Sequence, residues 1–193
     1  MATATAEFSL VLPDNWLPLD VVGEQRIANE VDALLERGAA TDESFHSHRG
    51  RIEKQLRAAI RLVRREPVVM AAVLISVLDD ILPLFASLTV AIVDSSPSDY
   101  QGQPGADVQL VELPSAGVAV RQQFTDTSTD PNTGVTVPAA VFQWLVPMPD
   151  QRRRLILTFA SPNTEPMLLE AFADLFSAVA ESLSFKNTPE PPV

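Results

Sequence analysis

The chain contains no cysteine and only 2 histidines. That excludes a disulfide framework and thiolate catalysis, and it leaves any metal site to carboxylates and one histidine pair. Basic residues are scarce as well: 14 Lys plus Arg stand against 25 Asp plus Glu, for a formal charge of -11. Such a charge repels nucleic acid and anionic lipid at long range, so no nucleic-acid partner is expected. Phosphate-loop and dinucleotide fingerprints are absent, and LPSAG around Ser115 lacks the nucleophile-elbow spacing, which makes a turn serine the better reading. No cofactor is expected. MATATAEFSLVLPDNW has neither the basic start, the continuous apolar segment nor the processing site of an export signal. With the lack of cysteine, this predicts a cytoplasmic protein.

What is present suffices for a core. At 193 residues and 46% hydrophobic content, one domain can bury roughly 70% of the unfolded chain's surface. A single domain over residues 7–185 is expected, followed by a flexible tail at 186–193, KNTPEPPV, poor in core-forming side chains.

The oiliest stretch, VVMAAVLISVLDDILPLFASLTVAIV from Val68 to Val93, tests whether the chain enters a membrane. Asp79 and Asp80 divide it, and each would cost about 2.5 to 3.5 kcal/mol near a bilayer centre. Pro83 adds a kink. Val68, Val69, Val73, Ile75, Val77, Thr89, Val90, Ile92 and Val93 are β-branched, which favours two strands joined by a turn near Asp79 to Pro83 over one helix. No membrane insertion is expected. Continuous apolarity implies that both faces of these strands are covered, and helices are the expected covers.

Periodicity places the other elements. EFSLVLP alternates as a strand with Phe8, Leu10 and Leu12 on one face, and Trp16 covers a core edge. Ile27, Val31, Leu34 and Leu35 recur at helical spacing before Gly38, and Ile52, Leu56, Ala59, Ile60 and Val63 form a second helical stripe. VQLVELP and GVAVRQQF read as a hairpin through Ser115, Ala116 and Gly117. TDTSTDPNTG reads as a mobile loop leading into a second hairpin, VPAAVFQWLVPMP with LILTFASP. Leu168, Leu169, Phe172, Leu175, Phe176, Val179 and Leu183 define a closing amphipathic helix, with Asn163 or Thr164 as its cap and Pro166 tolerated in the first turn. The predicted class is α+β.

FSLVLPDNW, the pair MAAVLISVLDD and LFASLTVAIVD, then VFQWLVPMPDQRRRLILTFASPN and LLEAFADLFSAVAESLSF together resemble actinobacterial proteins of the Mog1/PsbP-like superfamily over nearly all of residues 7–185. LVPMPDQRRRLILTFASPN and the helix after it carry most of the likeness. The resemblance implies a single antiparallel β-sheet with helices packed on both faces. It also implies a binding or accessory role, as for the superfamily's nuclear-transport GTPase partner, photosystem-associated proteins and bacterial lipoproteins. The lipoprotein cysteine is missing, and no family catalytic residue maps onto the chain.

Candidate sites are few. His46 and His48 with Asp42 or Glu43 lack a metalloenzyme spacing, and Asp126 and Asp130 lack that of a calcium loop, so no metal site is assigned. Asp79 and Asp80, as strand neighbours, would point apart rather than converge for acid-base work. The sharper signal is charge. Arg49, Arg51, Lys54, Arg57, Arg61, Arg64 and Arg65 are half of the chain's 14 basic residues, and against Glu53 and Glu66 they give segment 49–66 a charge of +5. Arg57, Arg61 and Arg64 are the candidate partner-binding residues, suited to an acidic protein surface; a solvated helix face is the plainer alternative. Arg152 to Arg154 form a second cluster at a hairpin bend. The expected function is a noncatalytic intracellular interaction or accessory module. The alternative is a small-molecule binding protein or enzyme with a pocket near Trp16, Tyr100 or Trp144. Composition leaves the oligomeric state open.

Overall fold

The computed structural model describes residues 8–19, 32, 33, 35, 36, 49, 50, 53, 68–78, 82–94, 103–129 and 136–186. They form β1 (Phe8–Ser9), β2 (Trp16–Leu19), β3 (Val68–Leu78), β4 (Leu82–Asp94), β5 (Asp107–Leu113), β6 (Gly117–Thr129), β7 (Thr136–Pro147), β8 (Arg153–Ser161), α1 (Pro166–Glu181) and β9 (Ser184–Phe185). Asp32, Ala33, Leu35, Glu36, Arg49, Gly50 and Glu53 are also helical, and Leu35 is buried.

The divided apolar run becomes β3 and β4, which pair antiparallel from Leu78 opposite Leu82 back to Val68 opposite Ala91. A shift in register between Val68 and Met70 leaves Val69 exposed. These strands belong to one seven-stranded sheet in the order β2-β3-β4-β8-β7-β6-β5, antiparallel throughout. β1 and β9 make a separate two-stranded ribbon. Ser182 ties it to the helix end: its Oγ accepts the Val11 N–H at 2.9 Å and donates to the Val179 carbonyl at 2.6 Å.

Residues opposite one another in antiparallel strands share a face. The face carrying Trp16, Leu74, Ala86, Leu88, Phe159, Phe142 and Trp144 receives α1, whose Phe172, Phe176, Val179 and Ala180 are buried against it. Phe176 is the hub. Its ring stacks on Phe159 at 4.6 Å and Phe172 at 5.3 Å, and meets Phe142 edge-on at 5.4 Å and Trp16 at 6.3 Å. Such ring pairs contribute roughly 0.5 to 1.5 kcal/mol each beyond the area they bury. Trp16 therefore serves as a core residue. Phe8, Leu10 and Leu12 also pack on this core, although β1 itself spans only Phe8–Ser9.

Three expectations are corrected. The sheet does not carry helices on both faces: α1 lies on one face and is the only complete helix among the described residues. Ala71, Ala72, Val73 and Leu74 are all buried, so both faces of β3 are indeed covered; apolarity on both faces reports a cover without specifying its secondary structure. Thr125 to Thr129, read as the start of a mobile loop, instead extend β6 and pair with β7 from Ala140 to Thr136. Threonine's β-branched side chain suits a strand even in so polar a stretch. Finally, Glu165 is the N-cap residue of α1 and makes no side-chain cap bond.

Candidate functional site

The sheet has two edges of unlike character. β2 is four residues long and includes Pro18, which has no N–H to offer an incoming strand. β5 spans seven residues, Asp107 to Leu113, with no proline, lysine or bulge. Among the described residues only β6 pairs with it, so alternate residues direct their N–H and C=O groups outward.

Side chains reinforce this opening. Leu110 is 77% exposed, Val118 beside it on β6 60%, and Val108 46%. On the face opposite α1, Leu110 lies opposite Val120, Val120 opposite Leu145, Leu145 opposite Ile156, and Ile156 opposite Ala91. This apolar row runs from buried Ala91, through half-buried Ile156, Leu145 and Val120, to exposed Leu110 at the sheet's margin.

A parallel polar row fixes the strands in register. Gln122 donates through Nε2 to Gln143 Oε1, and Gln143 donates through Nε2 to Thr158 Oγ1 at 2.9 Å. Gln122 Oε1 in turn accepts the Gln103 N–H at 3.3 Å. That bond anchors the turn before β5, where Ala106 N–H reaches the Gln103 carbonyl at 3.0 Å and Gly105 takes a φ of 79°, a left-handed conformation open to glycine. The edge strand is thus held at its start while its outer margin is unpaired among the described residues.

The β7–β8 turn gathers charge at another point. Asp150 Oδ1 accepts the backbone N–H groups of Arg152 at 3.0 Å and Arg153 at 3.1 Å, and Oδ2 meets Arg153 Nε at 2.7 Å and Nη2 at 2.6 Å. Partial desolvation pushes the Asp150 carboxyl upward, but the Arg153 side-chain bond, the two backbone bonds and the Arg153 charge together hold its pKa below the ordinary value. The cluster shapes a turn. On the α1 face, Arg121 lies 5.6 Å over the Trp144 ring, and its buried Nε has no hydrogen-bond partner among the described residues.

Of the residues singled out from sequence, Arg57, Arg61, Arg64, His46, His48, Asp79, Asp80, Tyr100 and Asp130 lie outside the described residues. Arg49 is exposed on a helical residue, Ser115 is exposed in the β5–β6 turn, and Asp126 sits in β6 with its Oδ1 accepting the Thr127 N–H at 2.8 Å. Trp16 and Trp144 are buried in the same core. No three His, Asp or Glu side chains among the described residues gather as a metal would require, and no described helix is long and apolar enough to cross a membrane. The open edge was missed. DVQLVEL has apolar residues in both alternating phases and no proline or lysine, a pattern that permits an open edge without marking one. No family model matches the chain, and no curated protein matches it.

Proposed function

We propose that this chain is a noncatalytic, cytoplasmic protein-interaction or accessory module that docks through the open edge at β5. The observation that carries the reading is the pairing of a strand edge left unfilled among the described residues with exposed apolar side chains, Val108, Leu110 and Val118, at one margin of the sheet. Strand addition uses both: main-chain bonds supply affinity and the apolar side chains supply register. The resemblance of LVPMPDQRRRLILTFASPN and the helix after it to Mog1/PsbP-like proteins supports the accessory role alone, since the sheet with helices on both faces that it implied is not the one observed. The +5 segment at 49–66 supports a second, acidic partner surface at Arg57, Arg61 and Arg64.

A photoreactive benzoylphenylalanine in place of Leu110 tests the edge. It should form an adduct with a defined protein that the purified pair reproduces, whereas the same group at exposed Val69 on β3 should not. Equal yields at both positions, or no protein adduct at Leu110, would refute docking at this edge.

A further inference from the structure

We propose that the strand filling this edge is β5 of a second copy, paired antiparallel about a two-fold axis through Leu110. The inference rests on the interaction reading of the edge and names its occupant.

Symmetry restricts the register severely. A two-fold axis that sets antiparallel strands side by side stands perpendicular to the sheet, so it keeps like faces together and must pass through a residue that opposes itself. With Leu110 at the axis, Asp107 faces Leu113, Val108 faces Glu112, and Gln109 faces Val111, so all seven residues of β5 are paired. Axes at Gln109 or Val111 would leave two residues of each seven-residue strand unpaired.

Charge agrees with the same choice. Two chains of formal charge -11 repel one another, so an acceptable interface must keep carboxylates apart. In the Leu110 register each of the two carboxylates of β5 faces an aliphatic side chain. A parallel in-register pairing would instead set Asp107 beside Asp107 and Glu112 beside Glu112, an arrangement that like charges disfavour.

Packing continues across the axis. The row Ala91, Ile156, Leu145, Val120, Leu110 meets its own copy end to end, Leu110 against Leu110. The side chain that is 77% exposed in one chain thereby gains an apolar neighbour at the centre of the contact. Two seven-stranded sheets become one. Because β2 contains Pro18 and spans only four residues, its edge resists the same reaction, so assembly closes at two copies rather than growing into a filament.

Sedimentation equilibrium of the full chain across the micromolar range tests this, with circular dichroism to check folding. The wild type should approach twice 21.0 kDa, and added salt should strengthen the association by screening the mutual repulsion. Leu110→Lys, at an exposed position, should keep the fold and weaken association by about tenfold or more, since it opposes two ammonium groups at the axis. The chain has no cysteine, so Leu110→Cys creates its sole thiol; mild oxidation should join two copies, while Val69→Cys should stay uncoupled. A wild type that is monomeric throughout, a dimer unaffected by Leu110→Lys, or equal coupling at 69 and 110 would each overturn the inference. A monomer whose photoreactive Leu110 variant captures a different protein would sink the second-copy assignment and leave the interaction reading standing. Absence of both capture and self-association would sink the two together.

Discussion

The backbone N–H of Phe85 donates to the side-chain Oδ1 of Asn163 at 3.1 Å, so a side chain takes the place of a strand where the β4–β8 ladder runs out. The Phe85 carbonyl accepts the Ser161 hydroxyl at 2.6 Å, and Ser161 Oγ accepts the Asn163 N–H at 3.1 Å. Pro162 interrupts the backbone donors at that point. Both Ser161 and Asn163 are buried, so these bonds are shielded from competition by water.

Asn163→Ala should therefore destabilise the fold by about 1 to 3 kcal/mol, the cost of leaving a buried backbone donor unpaired. Urea unfolding followed by tryptophan fluorescence gives the number. Thr164→Ala, at an exposed neighbour, should change stability by less than about 0.5 kcal/mol; equal losses in the two variants would contradict the assignment.

Phe176→Ala removes the hub of the ring cluster beneath α1. A loss of about 3 to 5 kcal/mol is expected from the cavity and the lost burial. Phe176→Leu should recover much of it. A Phe176→Ala variant that melts like the wild type would mean that α1 is not held to the sheet by this cluster.

Asp150 supplies a pH test. Its carboxyl is held below the ordinary value when folded, so the charged form stabilises the fold. That contribution is fully present above the unfolded chain's carboxylate pKa and is lost as pH falls through the lower folded-state value. Asp150→Asn keeps an oxygen for the two backbone donors and removes the charge. Its stability deficit should be small at neutral pH, because the turn is exposed, and should vanish in acid; a deficit that grows on acidification would reverse the assigned sign.

Reversal of Arg57, Arg61 and Arg64 to Glu tests the proposed acidic-partner surface. Native co-purification should lose that partner while circular dichroism is unchanged. Undiminished recovery from a folded triple variant would remove these residues from the interface.

The strands were legible wherever side-chain chemistry and periodicity agreed. Asp79 and Asp80 were enough to divide Val68 to Val93 into what became β3 and β4, because two carboxylates cannot be left in hydrocarbon. The same stretch misdirected the layer assignment. Ala71 and Val73 report that their face is covered, and aliphatic burial has no preference for a helix over any other cover. Asn163 was read as a cap because Asn before an amphipathic stripe satisfies helix N–H groups most often. Its actual partner is Phe85, 78 positions away, and such a separation leaves no local pattern. Leu110 was invisible as a site for a related reason. In sequence a strand at an edge and one in the middle look alike, and the distinction arises only from which neighbours assemble around them.

The ribbon that joins Phe8 to Phe185 and Ser9 to Ser184 fixes how the molecule answers to force. Its strands run antiparallel, and the pull of chain entering at Phe8 and leaving at Phe185 falls on residues directly opposite each other. The load therefore peels the bonds one after another instead of shearing them together. Tension between these points would meet its first yield in a two-residue zipper, well before it reached the seven-stranded sheet. A molecule stretched in an optical trap should release this clasp at low force and keep the sheet intact behind it.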